Sequence, residues 1–279
     1  MTSLLHQYLP VLTIAGSDSG GGAGIQADMK TFAALGCYGT SAITAITVQN
    51  TLGVSAIHPV PAEIVAGQIA AVINDIKPKA IKIGMLPNAE TIRAVARLLK
   101  SYPGTPVILD PVSVASSGYK LMNEEAVGIL QQELFPLATL LTPNLPEAAM
   151  LTGLPVANLA DMYSAASRIL KSGCKAVLLK GGHLTGNKLY NVYVDESGYR
   201  QQFESDYIAS VSTHGTGCTL SSAITAYLAR GLGLIQAIEQ AGTYVNNAIA
   251  HGKAVKTGEG NGPLNHFFAP EPAIKVNLS

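Results

Sequence analysis

Residues 212–231 read STHGTGCTLSSAITAYLARG, and the reading of the chain turns on this stretch. Gly215 and Gly217 bracket Thr216, and Cys218 follows directly. An apolar helical pattern begins at once, with Leu220, Ala223, Ile224, Tyr227 and Leu228 at three- and four-residue spacing. A flexible turn therefore opens into a helix N-terminus. Unpaired amides and the helix dipole make such a junction receptive to an anion. Thr213, Thr216 and Thr219 add hydroxyls, and Cys218 adds a thiol. The same sequence also suits a tight packing turn. Its purpose depends on whether the rest of the chain supplies a phosphate donor, an acceptor and a pocket.

Working outward, short apolar runs alternate with helical patterns. Val11–Ala15 predicts a strand that enters the glycine loop Gly16–Gly24, followed by helical spacing from Ile25 to Gly36. Gly22, Gly24 and Ala27 match a G-x-G-x-x-A dinucleotide pattern, but no carboxylate lies between Asp28 and Glu63, where that motif needs an acidic residue. Strands are predicted at Ser41–Val48, Ala80–Ile83, Val107–Leu109, Leu140–Leu141 and Ala176–Leu179. Helices are predicted at Ala62–Asp75, Ala89–Ser101, Asn123–Glu133, Asn158–Ser172 and Ile235–Ala250. Leu189–Val194 and Tyr199–Phe203 flank Asp195–Gly198 and predict a β-hairpin, and Gly258–Pro263 a C-terminal loop. Sustained alternation predicts an α/β fold, a mostly parallel central sheet with helices on both faces. No internal repeat or linker divides the chain, so residues 1–279 are expected to form a single domain.

Composition narrows the class. The chain of 279 residues is 48% hydrophobic and 13% charged, with 18 Lys+Arg against 18 Asp+Glu. No basic run or patch points to nucleic acid or to an anionic membrane. Three distant cysteines, Cys37, Cys174 and Cys218, show no CxxC or metal-finger spacing and suit a reducing cytoplasm. The N-terminal segment lacks the basic and apolar regions of a signal peptide, and no apolar run reaches membrane-spanning length.

Polar residues recur where the predicted strands end: Gln49, Lys82 with Met85, Asp110, Asn144 with Glu147, and Lys180. In a parallel sheet these ends line one edge, the usual ligand edge. Carboxylates, a lysine and a helix start along one edge suit phosphoryl transfer from a nucleotide. There is no GxxxxGK[ST], so this is not a P-loop.

At this point the residues resemble the ribokinase-like superfamily, and within it the hydroxymethylpyrimidine/phosphomethylpyrimidine kinases of thiamine biosynthesis. The resemblance rests on LTIAGSDSGGGAGIQADMKTFAALGCYG, TAITVQNTLGV, IKIGML, VILDPV, LTPNLPEA, LLKGGH, STHGTGCTLSSAI and GNGPLNHFF, in this order over nearly the whole chain. It implies a ribokinase-like three-layer sandwich that transfers the ATP γ-phosphate to a hydroxymethylpyrimidine or its monophosphate. It implies that Gly16, Asp28, Gln49, Met85 and Val112 hold the pyrimidine, and Gln49 suits this because a carboxamide offers a donor and an acceptor. Asn144, Glu147, Lys180, Gly182 and Thr213 are implied on the ATP side, with Glu147 and Asp110 toward Mg²⁺. Asn144 and Glu147 also have the spacing of a helix capping box. Gly215, Thr216, Gly217 and Cys218 are the implied catalytic turn, and a homodimer is the implied assembly.

Cys218 stands where sugar kinases of the superfamily carry an aspartate base. A helix N-terminus lowers a thiol's pKa, so a thiolate base is one expectation; amides and metal acting with little base is the other. Three rival readings remain: a pyridoxal or pyridoxine kinase, a hydrolase with Cys218 as nucleophile beside His214, and a sensor that binds without turnover. His183 and His214 sit beside motifs and are expected near phosphate. His6, His58, His251 and His266 are expected to be structural or exposed.

Overall fold

The computed structural model describes residues 5–112, 122, 124–182 and 187–277. Its strands are β1 (His6–Tyr8), β2 (Pro10–Asp18), β3 (Tyr38–Asn50), β4 (Gly53–Pro59), β5 (Ile81–Ile83), β6 (Val107–Leu109), β7 (Leu140–Leu141), β8 (Ala176–Lys180), β9 (Lys188–Asp195), β10 (Arg200–Asp206) and β11 (Lys275–Asn277). Its α-helices are α1 (Gly24–Ala34), α2 (Ala62–Asp75), α3 (Ala89–Lys100), α4 (Glu124–Glu133), α5 (Leu145–Thr152), α6 (Leu159–Leu170), α7 (Thr216–Ala229) and α8 (Leu234–Gly252). Asn123, the expected start of the fourth helix, and His183 lie outside the described residues.

Nine strands form one sheet in the order β10-β9-β8-β7-β6-β5-β2-β3-β4. The six from β8 to β3 run parallel. The hairpin of β9 and β10 extends one edge antiparallel, and β4 caps the other. The expected mostly parallel sheet is therefore present, with antiparallel strands at both margins. A separate two-stranded sheet pairs β1 with β11.

The short parallel strands alternate between two cores, as a pleat requires. Leu12, Ile14, Ile81, Ile83, Val107 and Leu109 pack with α2 to α6, while Val11, Ile108, Leu140 and Leu178 pack with α1, α7 and α8. This is the three-layer arrangement of the ribokinase-like fold. All six parallel strands bring their C-terminal ends to one edge, and the loops that leave them build the site.

Candidate active site

A cavity of about 1180 Å³ runs along that edge. One part of it begins at the loop after β2. Asp18 Oδ1 accepts from the Gly20 amide at 2.8 Å, and Oδ2 accepts from the Gly22 and Ala23 amides at 3.0 and 2.8 Å. His214 Nε2 lies 2.9 Å from the same Oδ2 and 3.2 Å from the Gln49 carboxamide nitrogen. Burial pushes the Asp18 carboxyl up, but the His214 bond and the amides of Ala23 and Gly20 outweigh it and hold the group below the usual range. Gln49, Gly16, Met85 and Val112 all line the cavity. A Cβ at Gly16 would stand 2.8 Å from Met85 Sδ, so the thioether packs closely on Gly16, and Thr44 holds the Met85 backbone by donating to its carbonyl at 2.7 Å.

The two glycine loops interlock. Gly215 has φ of 83°, open to glycine, and a Cβ there would collide with the Gly22 carbonyl. A Cβ at Gly22 would in turn meet the His214 ring. A Cβ at Gly24 would collide with the Gly16 carbonyl, so both glycines of the G-x-G-x-x-A pattern lie at close approaches within the protein. Gly215 caps α7, so Gly217 and Cys218 occupy its second and third positions, where a helix offers their amides no carbonyl. Gly215, Thr216, Gly217 and Cys218 all line the cavity.

Another part lies across β6, β7 and β8. Lys180 Nζ bonds Asp110 Oδ1 at 2.8 Å, and Thr142 Oγ1 donates to the same oxygen at 3.0 Å. Burial would lower Lys180, but Asp110 and Glu147 outweigh it and keep the ammonium charged. Asn144 and Glu147 form a complete capping box on α5, at 2.8 and 2.9 Å, as their spacing predicts. Asn144, Glu147, Lys180, Gly182 and Thr213 line the cavity together with the apolar Phe203, Ile208 and Val245. Among the described residues no cluster of three or more His, Cys, Asp or Glu forms a ready-made cation cage. Two carboxylates, Asp110 and Glu147, stand beside Lys180.

Two expectations need correcting. Asp28 is 0% exposed and lies beneath the site: its carboxylate is consumed by Lys82, Thr13 and Ser222. A direct contact with the pyrimidine is therefore not available to it. Cys218 is not an activated thiol either. Burial pushes it up to about 11, with Lys82 lowering it and Asp28 and Asp110 raising it. Desolvation outweighs the lowering by Lys82, so the thiol is held above its ordinary value rather than activated. No bond joins it to His214 among the described residues, which removes the basis for a cysteine nucleophile. Sequence reasoning passed over Asp18, although an Asp followed by a run of glycines is the signature of a carboxylate that caps its own loop. His266, expected to be structural or exposed, is buried and meets Thr219 Oγ1 at 3.0 Å.

Comparisons with known proteins place the chain among pyrimidine kinases and their structural neighbours. The profile of the phosphomethylpyrimidine kinase family matches residues 18–265. A hydroxymethylpyrimidine/phosphomethylpyrimidine kinase of Rhizobium meliloti is 49% identical over 257 residues, covering 92% of this chain and 96% of the relative. A bifunctional thiamine biosynthesis protein of Geobacter sulfurreducens is 50% identical over 261 residues, covering 94% of this chain; the chain spans about half, 53%, of that relative. The crystal structure of a Clostridium difficile phosphomethylpyrimidine kinase superposes with a TM-score of 0.76 at 45% identity, covering 86% of this chain and 99% of the other. A Bacillus subtilis pyridoxal kinase in an ADP complex superposes with a TM-score of 0.86 at 36% identity, covering 93% and 98%.

Proposed function

The chain belongs to the phosphomethylpyrimidine kinase family, and from that premise we propose that it transfers the γ-phosphoryl group of ATP to 4-amino-5-hydroxymethyl-2-methylpyrimidine, to its monophosphate, or to both, in thiamine biosynthesis. The observation that carries this reading is that one cavity gathers these groups. Gln49 with His214, the turn of Gly217 and Cys218, and Lys180 with Asp110 all line it, and a Cβ at Gly217 would stand 3.2 Å from Lys180 Nζ.

Gln49 reads the aminopyrimidine, with Met85 and Val112 against the ring faces. Lys180 holds the phosphates, and the Gly215–Cys218 turn receives the migrating oxyanions. The P–O bond to ADP breaks as the bond to the acceptor oxygen forms. The hydroxyl proton leaves late, to an oxygen of the transferred phosphoryl group and from there to water, as a loose transition state permits, so a base as strong as a thiolate is not needed. Mg²⁺, when bound with ATP, neutralises phosphate charge, and Asp110 and Glu147 are the carboxylates placed to hold it; one or two carboxylates plus phosphates is its usual protein environment.

The reaction is tested by ADP release with four acceptors: the alcohol, its monophosphate, pyridoxine and pyridoxal. Turnover with the pyrimidines supports the reading. Turnover confined to pyridoxine and pyridoxal would replace it with the vitamin kinase activity that the Bacillus subtilis neighbour is named for. No release with any of them would favour a sensor.

The same reading includes one kinase domain over the whole chain, a cytoplasmic setting and a homodimer. Three free cysteines support a reducing compartment, and no described helix is long and apolar enough to cross a membrane. The sheet margin at β3 and β4 supports pairing, because Ile46, Val48 and Leu52 are 52%, 60% and 69% exposed there. Light scattering of the purified chain, with Val48→Lys as the disrupting variant, tests the dimer.

A further inference from the structure

Lys82 Nζ lies 3.0 and 2.9 Å from the two oxygens of Asp28, and both side chains are 0% exposed. Thr13 Oγ1 donates to Asp28 Oδ2 at 2.6 Å, and Ser222 Oγ donates to Oδ1 at 2.7 Å. The knot joins β2, β5, α1 and α7. Thr13 and Lys82 are register partners on adjacent strands, so they project from the same face of the sheet toward both helices.

Such a pair is a poor device for stability alone. Desolvating two charges offsets most of their attraction, and apolar replacements of similar volume are often tolerated. Its position suggests another purpose. Cys218 lies one helical turn above Ser222 on α7, and Gly24 lies one turn above Asp28 on α1. These are the first turns of the two helices that face the site, and the Gly24 amide meets the Cys218 sulfur. The knot therefore sets the spacing of the two helix ends. It also disposes of a charge. A bare Asp28 carboxylate beneath the anion turn would repel the migrating phosphoryl group, and Lys82 cancels it.

We propose that Asp28, Lys82 and Ser222 are positioning residues for phosphoryl transfer: they hold the first turns of α1 and α7 in register and keep the floor of the anion turn free of net negative charge, with Lys82 bordering the cavity and Asp28 and Ser222 beneath it. This rests on the kinase reading above.

The test uses the full chain with ATP and the pyrimidine acceptor. Three variants are compared with wild type: the double variant Asp28→Leu with Lys82→Met, the single variant Lys82→Met, and Ser222→Ala. The double variant is expected to fold with kcat lowered about tenfold and both KM values within about threefold of wild type. Lys82→Met alone, which strands the carboxylate, is expected to lose more kcat than the double variant. Ser222→Ala is expected to lose about fivefold in kcat at unchanged KM, with faster amide exchange in the peptides that contain Gly24 and Cys218.

A folded double variant with wild-type kcat overturns the proposal, as does a rise in KM without loss of kcat. Should the double variant fail to fold, Ser222→Ala decides: wild-type kcat and exchange overturn the proposal, and reduced kcat at constant KM upholds it. A failed kinase reading shows differently, as an inactive wild type, and amide exchange in Ser222→Ala then still decides whether the knot holds the helix ends.

Discussion

Lys180 Nζ and Asp110 Oδ1 are 2.8 Å apart, a bond that spans β7 and ties the ends of the strands on either side of it. The ammonium is held charged by two carboxylates and lines the cavity. Lys180→Met removes that charge and strands Asp110. It is expected to lower kcat about 100-fold, the order of effect of losing one charge-stabilising donor, and to raise the ATP KM. Steady-state ADP release measures both, and wild-type values would remove Lys180 from the phosphate path.

Gln49 sits at the end of β3 with its carboxamide between His214 and Thr47. Gln49→Ala removes a donor and an acceptor from the pyrimidine. The acceptor KM is expected to rise at least tenfold, in line with about 1.5 kcal/mol or more for a lost polar pair, while the ATP KM stays within about twofold. Equal rises in both would show that the residue supports the whole cavity rather than the acceptor.

Cys218 gives a titration test. With its thiol at about 11, only about one molecule in 10⁴ carries the thiolate at pH 7. Iodoacetamide labelling of Cys218 is therefore expected to be slow at pH 7 and to accelerate about tenfold per pH unit up to pH 10. The folded state holds the proton more tightly than the ordinary value of 9.0. Its contribution to stability is thus present below pH 9 and lost as pH rises from 9 toward 11. Fast labelling with a plateau below pH 8 would restore the thiolate.

His266 should dominate the acid limb of stability. It is buried, and burial and the nearby Lys30 lower it from 6.5 to about 4. The folded state keeps the ring neutral, so stability is full above pH 6.5 and falls as pH drops toward 4, by about 3 kcal/mol across the window. Urea unfolding at pH 7 and pH 4 measures the drop. His266→Gln is expected to flatten that part of the profile, and an unchanged slope would assign the limb to other groups.

The parts of the fold that were legible are those whose chemistry is local. The bounds of Ala62–Asp75, Val107–Leu109 and Leu140–Leu141 coincide with the pattern of apolar residues, and the hairpin of β9 and β10 follows from its Asp-Glu-Ser-Gly turn. β4 was not legible, because GVSAIHP is half-buried or exposed throughout and carries no buried alternation. At the site, the strand-end polar residues announced themselves because a parallel sheet gathers such ends. Asp28 did not, since its partners Lys82 and Ser222 are 54 and 194 residues away. For Cys218 the helix start argued for a low pKa, whereas desolvation by neighbouring elements, which a sequence does not display, pushes the thiol upward.

The loop that closes the acceptor end comes late in the chain. A Cβ at Gly258 or at Gly260 would collide with Thr51, and His214 donates its backbone amide to the Gly262 carbonyl at 3.0 Å. The strand end that carries Gln49 and the turn that carries His214 are therefore clamped by residues synthesised after both. All eight described helices thus precede this loop in the chain, and the turns that carry Gln49 and His214 are joined only once residues 258–262 are in place.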